Sequence, residues 1–421
     1  MNDKPMQIKS DIVVSDSILR HGWNVALAAQ EIGRLRYLVT TFFYKDKVFP
    51  YSVLTKHKRL DKFLRRRYRQ GLSQALVKNI PFYQSAELLC RKFYGNKLLL
   101  ERMGQWRERL FDRHVASFFI DRKVKVFVGY PGVSYTSFRK VKGNSGVCIL
   151  DLPIGHFNEA VSLLQEEKIL CPEFSDSILD VDIDEKRRLK YQLRLKAELE
   201  MSDYIVVASK FTKSTLLKNG IEEKKIIIIP HGSYIDPINE SLIRLNDKAA
   251  LKVLFVGQIS QRKGIKYLLE AVKSLKEQGL NIELTMVGQI FGSGDGLKKY
   301  TGVYNYIPFM RREELKNIYI QHDVFVFPSL FEGFGVVILE ALACGLPVIT
   351  TPHTGDIIND GENGYLVPIR DTQKIADKIK LFYYDRGLLS KMKYEAVKSS
   401  RGFTWKKARA QWEQLFNEIR V

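Results

Sequence analysis

A chain of 421 residues with 45% hydrophobic and 11% aromatic content can build two or three domains with buried cores, and it is neither a disordered nor a low-complexity protein. A net charge of +20, from 67 basic and 47 acidic residues, calls for an anionic partner such as nucleic acid, a membrane surface or a phosphorylated substrate. The apolar runs fall short of the ~18–20 residues of a spanning helix, Cys90, Cys148, Cys171 and Cys344 lack zinc or disulfide spacing, and Asp3, Lys4, Lys9 and Asp11 interrupt any leader-like core, so a cytoplasmic setting with reduced thiols is expected.

The first strand is expected at DIVVSD (Asp11 to Asp16), followed by the loop SILRHGWN and a helix over NVALAAQEIGRLR. Lys56 to Gln70 then reads KHKRLDKFLRRRYRQ, in which Asp61 alone opposes eight Lys or Arg side chains. Leu60, Phe63 and Leu64 would give such a helix one narrow apolar face. Between Lys56 and Arg69 this suits anionic headgroups, at about 1 kcal/mol per basic residue near the surface. It suits a solvated helix packed on a core equally well. No nucleic-acid motif accompanies the charge, so no specific nucleic acid is expected. The aromatic residues that follow, including Phe82 and Tyr83, fit either a ligand groove or a core.

From Lys123 strands and helices alternate: KVKVFVGY as a strand, VSYTSFRKVKG as a helix, and GVCILD as a strand ending at Asp151. His156 follows just past that strand's C-terminal end, where open α/β sheets place their chemistry. By position alone a structural histidine is the commoner case. DVDID (Asp180 to Asp184) contains a D-x-D that can hold a divalent metal, but a carboxylate-rich helix start explains it, and no metal is expected. SDYIVVASKFTKSTLLKNG gives strand, Ser209 turn and helix, and KKIIIIPHG ends another strand before His231 and Gly232. Asp236 to Ala249 is the expected hinge between a first domain, 1–237, and a second, 250–399.

The second domain opens with a strand over Leu251–Val256 that meets Gly257. A short loop then carries Arg262 and Lys263, and Gly264 starts a helix. Two cations over a cleft can neutralise charge growing on a departing anion. NIELTMVGQI and YNYIPFM are further strands whose ends hold Gly288, Ile307, Pro308 and Phe309. The Val- and Phe-rich run DVFVFPSL has the composition of a strand buried on both faces. It feeds Gly333 and Gly335, after which Val336 to Ala343 reads as a helix closed by Gly345 and Pro347. Strand, glycine turn and helix N-terminus make a general recipe for phosphate. Around that turn Glu332 and Glu340 stand in the spacing E-x7-E, followed by LACGLPVITT and GENGYLVP. The terminal TWKKARAQWEQLFNEI sets Trp405, Trp412 and Phe416 at helical spacing.

In these blocks, in order from Lys252 to Pro368, the chain resembles the retaining glycosyltransferases of family four. The resemblance implies an α/β fold of GT-B architecture, two Rossmann-like domains facing across a cleft, with a last helix (about 400–421) crossing back to the first. It implies an enzyme that moves a sugar from a nucleoside-diphosphate sugar to a hydroxyl acceptor, a glycan or lipid-linked glycan, with neither metal nor cofactor; the expected place is the cytoplasm, with Lys56–Arg69 as the candidate contact to the inner face of the membrane. The implied catalytic set is Glu332, His156, Lys263 and Arg262. The implied donor contacts are Gly257, Arg262, Lys263, Gly288, Phe334, the N–H groups of Gly335 and Val336, and Glu340 on the ribose. The chain departs from the family at several positions: a single Gly22 in the first loop, Gln258 where Arg is common, His231 where Asn is frequent, and the short Asp356 before the DG pair. An epimerase of the same architecture, and a non-catalytic nucleic-acid or membrane binder, are the other readings.

Overall fold

In a computed structural model of the chain, residues 10–18, 21–45, 70–80, 97–178, 185–243 and 250–419 are described. The basic stretch Lys56–Arg69, Phe82, Tyr83 and Asp180–Asp184 lie outside them.

Two parallel sheets form the frame. The first holds β1 (Ile12–Ser15), β2 (Leu35–Thr40), β3 (Val77–Asn79), β4 (Val126–Gly129), β5 (Val147–Leu152), β6 (Tyr204–Val207) and β7 (Ile226–Ile228), in the order β3-β2-β1-β4-β5-β6-β7. The second holds β8 (Leu251–Val256), β9 (Ile282–Val287), β10 (Tyr304–Ile307), β11 (Val324–Phe327), β12 (Val348–Thr350) and β13 (Gly364–Leu366), in the order β10-β9-β8-β11-β12-β13. Runs such as IVVS, VFVG, LKVLFV and VFVF are rich in β-branched and aromatic residues and almost wholly buried, as strands covered by helices on both faces must be. Strand order reverses between β1 and β4 and again between β8 and β11. The C-terminal ends of strands at such reversals are where open α/β sheets bind ligands.

The helices are α1 (Gly22–Glu31), α2 (Lys97–Phe119), α3 (Tyr135–Gly143), α4 (Phe157–Leu170), α5 (Glu185–Met201), α6 (Lys210–Lys218), α7 (Ile265–Glu277), α8 (Arg312–Ile320), α9 (Val336–Ala343), α10 (Thr372–Tyr384), α11 (Arg386–Ser400) and α12 (Trp405–Glu418). Among these residues no helix is long and apolar enough to cross a membrane. The helix expected over Asn24 to Arg36 is shorter than its sequence suggests. Gly33 takes a left-handed φ of 71° and stops α1, and Leu35 onward becomes β2, paired with β1. Part of the expected hinge already belongs to the second domain: Ile238 is buried in its core and donates its N–H to the Ala343 carbonyl at 2.8 Å.

Helix α12 returns to the first domain and packs on α1, burying Ala408, Trp412, Leu415 and Phe416 in the same core as Val25 and Ala29. Arg34 ties the seam by pairing with Asp11 at 2.8 Å and donating to the Phe416 carbonyl. Trp412 is 5% exposed, so Trp412→Ala should cost about 3–5 kcal/mol by losing a large buried side chain. Chemical denaturation would read this directly, and a loss well under 1 kcal/mol would mean that α12 does not hold the domains together.

Candidate functional site

The loops after β8 and β11 meet at the boundary between the domains. Gly257 and Gly288 pack backbone to backbone there, since a Cβ on Gly288 would lie 1.8 Å from the Gly257 carbonyl oxygen. After Gly257 the chain makes a single 3-10 turn, Gln261–Lys263, closed by Gly264 at φ 70°. Only glycine fits that last position, because a Cβ would sit 2.1 Å from the Pro328 carbonyl oxygen. The turn is docked onto the second loop: the Arg262 carbonyl accepts the Leu330 N–H at 2.9 Å.

Three of the expected residues converge on this turn. Arg262 Nη1 donates to the Phe331 carbonyl at 2.7 Å and lies 3.3 Å from Glu332 Oε2. Lys263 Nζ contacts the same carboxylate oxygen and sits 4.7 Å over the Phe327 ring. The Arg262, Lys263 and Glu332 side chains are only 13%, 9% and 17% exposed. Burial, then the Arg262 charge, pushes the Lys263 ammonium well below the ordinary lysine range, and burial brings Arg262 down to about 10. One carboxylate thus balances one of two desolvated cations. Arg262 Nε is also buried with no partner. A net positive pocket with an unmatched donor is electrostatically incomplete, and an anion carrying several acceptor oxygens would complete it.

The loop carrying Glu332 is pressed onto the first domain. The Gly333 carbonyl accepts hydrogen bonds from Ser209 Oγ at 2.7 Å and Thr212 Oγ1 at 3.2 Å. A Cβ on Gly333 would lie 1.8 Å from the Pro153 carbonyl oxygen, and Phe211 packs between Phe331 and His353. The two domains are therefore closed on each other at this point.

Other expected residues lie around this group with partners of their own. The N–H groups of Gly335 and Val336, read from sequence as diphosphate donors, are used within the chain, on the carbonyls of Thr354 and Phe334, both at 2.9 Å. The segment after β12 folds back over the start of α9 and takes the first of them. Glu340 is 4% exposed and accepts from the Tyr319 hydroxyl at 3.4 Å. Phe334 is buried, with its ring 5.5 Å from His231. His156 caps α4: its Nδ1 accepts the Asn158 N–H at 3.3 Å, and its own N–H goes to Thr215 Oγ1 at 2.8 Å. Burial lowers its pKa, consistent with the neutral ring that an accepting nitrogen requires. Phe309, just past the end of β10, is 69% exposed.

The structure also gathers a polar cluster that the sequence does not announce. Asp151 Oδ2 accepts from the Tyr130 hydroxyl at 2.7 Å and faces His21 Nε2 at 2.9 Å, and the His21 ring lies 4.3 Å from His231. His21, Tyr130 and His231 follow β1, β4 and β7, and Asp151 is the last residue but one of β5, so all sit at the C-terminal edge of the first sheet. The available signal was their shared position at or just after strand ends. Burial alone would raise the Asp151 carboxyl, but His21, His231 and the Tyr130 hydroxyl hold it below the usual range. Asp16 fills the start of α1, accepting the Gly22 N–H at 3.2 Å, where the family's glycine pair is reduced to one.

His231 predicts an acid-sensitive fold. Burial and the nearby His21 push its pKa down to about 3, so the unfolded chain takes up this proton at a higher pH than the folded one. Stability from this group is complete above about pH 6.5 and is lost as pH falls towards 3. Relative to His231→Asn, the wild type should lose about 2 kcal/mol between about pH 6.5 and 5. Parallel pH-stability curves for the two proteins would remove His231 as the cause.

Among the described residues no cluster of three or more His, Cys, Asp or Glu side chains is arranged to hold a metal ion. The sequence profile of the family described as Glycosyl transferases group 1 matches residues 250–385, which include the cation turn and both glutamates. An uncharacterised glycosyltransferase of Methanocaldococcus jannaschii is 27% identical over 278 residues, 61% of this chain and 69% of the relative. The amylovoran biosynthesis glycosyltransferase AmsK of Erwinia amylovora is 28% identical over 260 residues, 56% of this chain and 62% of AmsK. In structure, Anabaena HepE crystallised with UDP and glucose superposes with a TM-score of 0.61 over 97% of this chain and 99% of that one, at 13% identity. The chain is a two-domain protein of GT-B fold, and residues 250–385 of its second domain match the group 1 glycosyl transferases.

Proposed function

We propose that the protein is a retaining, metal-independent glycosyltransferase of family four that moves a sugar from a nucleoside-diphosphate sugar to a hydroxyl of a glycan or lipid-linked glycan, in the synthesis of a surface polysaccharide or glycolipid. The observation that carries this reading is the buried Arg262–Lys263–Glu332 group, positive by one charge, with the Arg262 Nε unmatched, at the strand-order reversal of the second sheet. AmsK, whose name places it in amylovoran synthesis, supports the polysaccharide setting.

In this mechanism the donor's diphosphate takes the place of Glu332 against the two cations. The freed carboxylate then meets sugar hydroxyls beside the anomeric carbon. As the bond from that carbon to the phosphate oxygen breaks, its electron pair stays on the diphosphate, held by Arg262 and Lys263. A carboxylate next to the oxocarbenium-like centre lowers its energy. The acceptor oxygen bonds to the same face of the carbon and its proton passes to the departing phosphate. Closure of Gly333 on Pro153 and Ser209 excludes water from these steps.

A thermal-shift panel of UDP, GDP, ADP and their sugars tests the reading. A ligand at about 100 times its Kd should stabilise by about 2.7 kcal/mol, and a flat panel overturns the proposal. The same donors incubated without acceptor separate transfer from epimerisation, since only an epimerase yields a new sugar nucleotide. The Lys56–Arg69 stretch would hold the enzyme at an anionic membrane. Charge reversal at Arg65, Arg66 and Arg67 should then abolish pelleting with anionic liposomes, and unchanged pelleting rules that anchor out.

A further inference from the structure

Helix α4 joins the two domains as a rod. Its N-terminal end belongs to the first domain: Asn158 bonds Asn219 at 3.1 Å, and Glu159 accepts from Asn219 at 3.2 Å. Near its C-terminal end Glu167 faces the second. There Glu167 is 0% exposed, and apart from the Cys171 thiol of its own helix end every group that bonds it comes across the boundary. Oε1 accepts from Gln261 Nε2 at 2.6 Å and the Tyr267 hydroxyl at 2.8 Å, while Oε2 accepts from Arg370 Nε at 2.7 Å. Arg370 also reaches Glu166 at 2.8 Å and the Leu163 carbonyl at 3.2 Å. It does so from a left-handed backbone, φ 65°, which a non-glycine residue adopts only where its surroundings hold it. A carboxylate so buried is sustained only by such bonds, so it has its full set of partners only when the domains are closed.

What Glu167 grips is the turn that carries the cations. Gln261 directly precedes Arg262 and Lys263, is itself 0% exposed, and uses its other side-chain atom, Oε1, to accept the Lys266 N–H at 3.0 Å. Its backbone N–H goes to Ser177 Oγ at 3.1 Å, again across the boundary. Gln261 is thus fixed at three points, and two of them come from the first domain. We propose that Glu167 is a positioning residue for diphosphate binding: reaching across from the first domain, it holds Gln261 and so sets Arg262 and Lys263 in place, coupling domain closure to nucleotide affinity. This rests on the donor-binding reading given above.

Calorimetric titration of the full chain with UDP and GDP tests the coupling. Glu167→Ala and Gln261→Ala should each weaken the nucleotide that binds by about tenfold or more, as expected for losing a hydrogen bond to a charged group. Glu167→Gln keeps an oxygen for Gln261 and Tyr267, so it should recover most of that affinity even though it loses the charge facing Arg370. This rescue would not follow from a merely structural role, in which both Glu167 variants would lose stability and neither would change the Kd. Wild-type affinity in Glu167→Ala and Gln261→Ala, alongside weakened binding in Arg262→Ala, would overturn the coupling and leave the donor site standing. If the wild type bound neither nucleotide, the functional reading would fall and this inference with it.

Discussion

Glu332→Ala should abolish most sugar transfer while leaving nucleoside-diphosphate affinity unchanged or tighter. Glu332 is the counter-ion of Arg262 and Lys263, so a diphosphate must compete with it for both cations. Removing it ends the competition. It also leaves two buried cations unpaired, and breaking a buried pair by deleting one partner costs about 3–5 kcal/mol. Most of that loss should return on adding nucleotide, which supplies the missing negative charge. The rate should fall by about 10²–10³, the usual cost of losing one preorganised electrostatic contact to the transition state. Single-turnover rates, calorimetric affinities and unfolding curves with and without nucleotide would separate these effects. A fully active Glu332→Ala enzyme removes the carboxylate from the mechanism.

The second large effect is expected at Lys263, and its pattern differs. Lys263→Ala leaves Arg262 neutralised by Glu332, so the pocket loses its net positive charge. Nucleotide affinity and rate should fall together, the rate by about 10²–10³. Lys263→Arg should not rescue, because the ammonium sits in a 9% exposed slot over the Phe327 ring, and a wider, planar guanidinium cannot occupy a lysine's place there. If Lys263→Ala lowered only the rate and left affinity intact, the lysine would act on the sugar rather than the diphosphate.

Much of this architecture was legible in one dimension, because its signals are local. Val- and Phe-rich runs marked the buried strands, Gly345 and Pro347 marked the end of α9, and E-x7-E placed both glutamates around a glycine turn. Those features arise from backbone stiffness, chain reversal and side-chain periodicity, which act within a few residues. The error at α1 was local too: Gly33 was read as an interior residue when its left-handed backbone ends the helix.

What only the tertiary structure decided are the partnerships. That Glu332 pairs with cations 70 residues away, that Thr354 takes the Gly335 N–H, that His21 meets Asp151 across 130 positions and Glu167 meets Gln261 across 94 depends on which strand ends lie side by side and how the two domains close. A carboxylate in a loop looks the same in sequence whether it faces water, a neighbouring cation or another domain. The sequence by itself therefore determined the elements and the charged residues of the site, through short-range stereochemistry, while their pairing and desolvation came from the long-range packing of two sheets.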